Sequence, residues 1–94
     1  MTKLTLICKT TVKSGGVISP QGTRQLAFLN PDGQQLHYWI TPKDARYSEL
    51  KAKVARLRIG QSINAIYATE QAFGQVHIHQ LHAQINGTGQ LVKC

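Results

Sequence analysis

The chain's one tryptophan stands in the run Gln35-Leu36-His37-Tyr38-Trp39-Ile40. An indole held on the surface of a strand is a platform for stacking. Nucleobases suit it because every base has a π-face, and each such contact is worth about 1–3 kcal/mol. The other aromatic residues are Phe28, Phe73, Tyr38, Tyr47 and Tyr67, so each ring is either a major core piece or a candidate contact. Cations that suit phosphate oxygens fall at Lys9, Lys13 and Arg24, on or beside the first two predicted strands. Lys43 and Arg46 follow shortly after Trp39. Four histidines complete the set. His37 sits beside Trp39, while His77 and His79 share a predicted strand face with His82 nearby. A His-x-His pair is half of a zinc site, but a site needs more ligands. No Cys, Asp or Glu lies at a helpful spacing, so these histidines read as exposed strand residues able to meet phosphate or bases.

Other chemistry is missing. Eleven Lys and Arg stand against four acids, a formal charge of +7. The four acids form no carboxylate pair. No glycine-rich loop follows a strand and opens a helix, so no nucleotide-phosphate cradle is expected. No catalytic residue, metal or cofactor is predicted, and the reading is a non-enzymatic one. Cys8 reads as a small buried hydrophobe within a strand, and Cys94 is an exposed terminal thiol. The excess of positive charge favours a polyanionic partner through phosphate neutralisation and counterion release. The same charges, taken singly, also suit an ordinary solvated surface, above all Lys51 and Lys53.

The elements that must position these groups follow from periodicity. Residues 3–12 alternate, with Leu4, Leu6 and Cys8 on one face and Thr5, Ile7 and Lys9 on the other, the period of a strand. Lys13-Ser14-Gly15-Gly16 interrupts it, as the bend of a long first strand or as a plain loop. Residues 23–29 and 35–40 flank Asn30-Pro31-Asp32-Gly33. Proline presets the turn and Asp-Gly reverses the chain, so a β-hairpin is predicted. Thr41-Pro42-Lys43-Asp44 resembles a helix start, although the helix can also begin near Ser48. Tyr47, Leu50, Val54 and Leu57 then recur at helical spacing up to Gly60. Residues 62–69 and 75–85 form the last two strands, joined by a turn at 71–74 that holds Phe73. The aliphatic phase shifts between Ile78 and Leu81, which predicts a bulge.

The hairpin decides what Trp39 does. With Leu36, Tyr38 and Ile40 facing the core, His37 and Trp39 face out; a one-residue slip exchanges Tyr38 and Trp39. The predicted order is strand, strand, strand, helix, strand, strand. This is an all-β chain with one helix, a five-stranded OB-fold-like barrel. It forms one domain over residues 1–86, with 87–94 as a flexible tail. No stretch approaches the ~20 apolar residues of a membrane span, and the first residues lack a signal-peptide core, so a cytoplasmic location is expected.

The pattern Gly60-Gln61-Ser62-Ile63-Asn64-Ala65, then Gly74-Gln75-Val76-His77-Ile78, then Leu81 and Ile85, resembles OB-fold single-stranded DNA-binding proteins of bacteria, phages and mobile elements. In those proteins a glycine opens strand four and a glycine-led strand five ends in spaced aliphatics. The tail here carries Lys93 and no acid, unlike the acidic partner-recruiting tail of the bacterial type. The likeness is therefore to minimal phage or plasmid forms, or to primosomal accessory forms. It implies binding of single-stranded DNA without strong sequence preference in replication or DNA transfer, and a homodimer. The contacts would come from Lys9, Lys13, Arg24, His37, Trp39, Lys43, Arg46, Tyr67, Phe73 and His77. An RNA-binding OB module, or an adaptor or inhibitor that meets an acidic protein, uses the same basic surface and stays open.

Overall fold

Alternating apolar residues dictate strands, and six form: β1 Thr2–Thr11, β2 Arg24–Leu29, β3 Gln35–Ile40, β4 Ser62–Ala72, β5 Gln75–Ile85 and β6 Gly89–Lys93, with α1 Tyr47–Ala55 between β3 and β4. The computed structural model describes residues 2–15, 20–72, 74–85 and 89–93. The strands hydrogen-bond in the order β3-β2-β1-β4-β5-β6, with antiparallel neighbours. One parallel contact, His37 to His77, joins β3 to β5 and closes five strands on themselves.

The element order departs from expectation at its end. Residues 89–93, expected to lie free in the tail, form β6 and pair with β5, Leu91 opposite Ala83 and Val92 opposite His82. The backbone of β5 runs the full eleven residues to Ile85. That leaves a hydrogen-bonding edge beyond Leu81, which β6 occupies.

Between β2 and β3 the Asn30 side chain organises the turn. Its Oδ1 accepts from the N–H groups of Asp32 (3.0 Å) and Gln34 (2.9 Å), while Gly33 N–H donates to Asn30 C=O at 3.0 Å. Gly33 has φ +81°, a conformation that glycine adopts without a Cβ penalty. The hairpin register puts Leu36 opposite Phe28 and Tyr38 opposite Leu26. All four are buried in one core with Leu4, Leu6, Ile40, Ile63, Ala65, Ile78 and Leu81.

Two bulges re-aim the long strands. In β1, Leu6 pairs with Phe28 and Cys8 with Ala27, so Ile7 is the extra residue. Beyond it the phase inverts, and Cys8 is exposed rather than buried. The strand thus bends within its own length, ahead of the Lys13-Ser14-Gly15 segment. In β5, Thr69 pairs with Ile78 and Ala68 with Gln80, which makes His79 the extra residue. It lies between Ile78 and Leu81, where the aliphatic phase changes.

The helix starts at Tyr47, later than Thr41. Asp44 Oδ2 accepts from the Thr41 N–H at 2.8 Å, and Asp44 N–H returns to Thr41 C=O at 3.0 Å. That reciprocal turn occupies the residues that would have opened the helix. Leu50 and Val54 are buried beneath α1, with Leu57 just beyond it. Gly60 N–H donates to Leu6 C=O and Leu6 N–H to Gln61 C=O, which delivers the chain into β4 beside β1.

Candidate nucleic-acid interface

Tyr38 is fully buried, so its neighbours His37 and Trp39 lie on the outer face of β3. Burial pushes the Tyr38 hydroxyl above its ordinary range, with Asp44 adding to the effect. The registers extend the outer face into rows. Thr10 pairs with Gln25, which pairs with Trp39; Cys8 pairs with Ala27, which pairs with His37, which meets His77 across the seam. These rows enclose an open cavity of about 260 Å³, bounded also by Gln35 and Gln75.

His77 meets His37 and Trp39 from across the seam. It is 8% exposed, not the exposed strand residue that alternation suggested, because sheet closure folds β5 against β3. Its ring lies 5.6 Å from that of His37 and meets Trp39 edge-on, at 4.7 Å and 86°. Edge-to-face contact of this kind holds an indole in one orientation. Desolvation, and then the nearby His37, push the His77 pKa below its ordinary value, while Glu70 opposes. His79, the bulge residue, and His82 are exposed. Among the described residues no three of His, Cys, Asp and Glu are grouped to hold a metal ion.

The predicted cations separate into two groups. Trp39 lies one residue from the end of β3, and the next row pairs Ile40 with Arg24 and Arg24 with Thr11. The end of β1, the start of β2 and the end of β3 therefore meet there, and Lys13, Arg24 and Lys43 lie at or within three residues of those strand ends. Lys13 and Lys43 are exposed, and Arg24 donates to Thr11 Oγ1 at 3.1 Å and Gly22 C=O at 3.4 Å. Arg24 shares the phase of Leu26 and Phe28, so it edges the outer face without lining it.

Lys9 and Arg46 do other work. The bulge at Ile7 puts Lys9 on the helix side, where Nζ donates to Leu57 C=O at 2.8 Å and reaches the carbonyls of Val54 and Ala55 at 3.5 Å. It tethers the carboxyl end of α1 rather than a ligand phosphate. Arg46 forks onto Glu49 with two 2.8 Å bonds. That pairing, with Lys53 at 3.3 Å, holds the Glu49 carboxyl down to about 2. Tyr67 packs against the core instead of standing free to stack. Phe73 lies outside the described residues.

Gln25, Gln35, Gln75, Thr10 and Cys8 bound the groove, and none of them was read from the sequence as a contact. Alternation across the hairpin puts Gln25 and Gln35 on the face of Trp39, so the signal for them was present. Gln75 joins only through sheet closure, and Cys8 only through the bulge.

No protein-family model, curated protein or solved structure matches this chain. Among the described residues no helix is long and apolar enough to cross a membrane.

Proposed function

We propose that this protein is a non-catalytic OB-fold protein that binds single-stranded DNA on the outer face of β1, β2 and β3. It would hold exposed strands in replication or DNA transfer. The carrying observation is Trp39, half-buried on that face, braced edge-on by His77 and set at the end of the sheet whose strand ends carry Lys13, Arg24 and Lys43 within three residues. A base stacks on the indole while phosphates meet the cations at the rim. In support, five strands close in the order 1-2-3-5-4, with β6 added beyond β5, and an OB-like barrel would carry its ligand over strands two and three. Stacking supplies affinity without demanding a sequence.

Trp39 is the chain's only tryptophan, so its fluorescence reports on its own site. Titration with oligo-dT should quench it, and Trp39→Ala should weaken binding, followed by oligonucleotide anisotropy, by about 1–3 kcal/mol. With three cations at the rim, the log–log salt slope should be about −2. Absence of binding at low salt by both methods would overturn the reading and direct the search to a protein partner. Competition between matched DNA and RNA strands then decides which is preferred; RNA would add 2′-hydroxyl contacts.

A further inference from the structure

The groove beside Trp39 is polar but uncharged by Lys, Arg, Asp or Glu: none of the four lines it. Its hydrogen-bonding groups include Thr10, His37 and three glutamine amides, from residues 25, 35 and 75. Gln25 is the direct cross-strand partner of Trp39, and Gln35 lies two residues before His37 on the same strand face. Gln75 arrives from β5, two residues before His77. Against the other described residues these three amides make no hydrogen bond.

A primary amide offers an N–H donor and a carbonyl acceptor side by side. Adenine carries the complementary pair on both edges that a single strand leaves open, its 6-amine with N7 and its 6-amine with N1. On guanine the N7 and O6 positions are both acceptors, so only its O6 and N1–H edge matches. Cytosine and thymine have one matching edge each. We infer that the groove selects adenine at the nucleotide stacked on Trp39, with Gln25 and Gln75 as the specificity-determining residues and Gln35 at the rim. Selection acts at that one nucleotide, and the rest of a bound strand is held without regard to sequence. This inference rests on the single-strand-binding reading above.

The test compares a dT strand, the same strand with a short central run of dA, and one with unsubstituted purine in place of adenine. Unsubstituted purine keeps the stacking ring and lacks the amine donor. The adenine strand should bind about tenfold more tightly than dT, within the range of a good bidentate amide contact. The purine strand should fall back toward dT. Gln25→Leu and Gln75→Leu should each reduce the ratio of adenine-strand to dT affinity severalfold. If a variant fails to fold, as shown by circular dichroism, the three-strand ranking on the unaltered protein decides alone. Equal affinity for all three strands would overturn adenine selection and leave single-strand binding standing. Binding to none would overturn the reading beneath it.

Discussion

His77 shows how one side chain takes its properties from a distant strand. Its neighbours in sequence give no hint of burial, but the seam presses it against His37 and Trp39. In the unfolded chain it takes a proton near its ordinary pKa of about 6.5. In the folded protein the proton is resisted by desolvation and by His37, more than Glu70 assists it. Protonation therefore favours the unfolded chain, and stability falls as pH drops below about 6.5 toward the folded-state pKa. The urea midpoint should decline between pH 7.5 and 5.5, and His77→Gln should flatten that decline. An unchanged slope in the variant would assign the effect elsewhere. The outward placement of Trp39 was legible from alternation across a well-signalled turn. The burial of His77 was not, because it depends on a contact forty residues away in the chain.

Elements depend on single groups at their ends. Lys9 was a reasonable phosphate ligand by position, yet one extra residue at Ile7 turned it toward the carboxyl end of α1. A cation there meets the negative end of the helix and its last carbonyls. Lys9→Met should cost about 1–2 kcal/mol in denaturant unfolding and leave oligonucleotide affinity nearly unchanged. A large loss of affinity with unaltered stability would restore the phosphate role. Gly15 has a comparable local duty. A Cβ there would collide with the backbone of Pro20 and Gln21, so this position needs glycine. Gly15→Ala should lower the melting temperature by several degrees, as a loss of about 1 kcal/mol does in a domain this size. The late start of α1 has the same logic, since the Thr41–Asp44 turn satisfies backbone groups that a helix would otherwise use.

For the molecule as a whole, one core serves both the sheet and the helix. Phe28 lies wholly buried within it, and Phe28→Ala should remove about 3–5 kcal/mol. Small domains hold only about 5–15 kcal/mol in total, so the variant should be partly unfolded at 37 °C by circular dichroism. The strand periods, the hairpin, the helical stripe and the β5 bulge could all be read from residue types, because each is a local pattern. The parallel seam, the inversion after Ile7 and the sixth strand could not. The first two are set by pairings between segments far apart in the chain, and β6 comes from a tail whose two glycines suggested a loose end.

The exposed thiol of Cys8 stands in the same cross-strand row as His37, on the wall of the groove. It makes that wall chemically addressable. With Cys94 replaced by serine, a maleimide or iodoacetamide would modify Cys8, and a resident oligonucleotide should slow the reaction. Air oxidation that couples two molecules through Cys8 would press their grooves together, so preparations stored without reductant should lose capacity as they age and regain it on reduction.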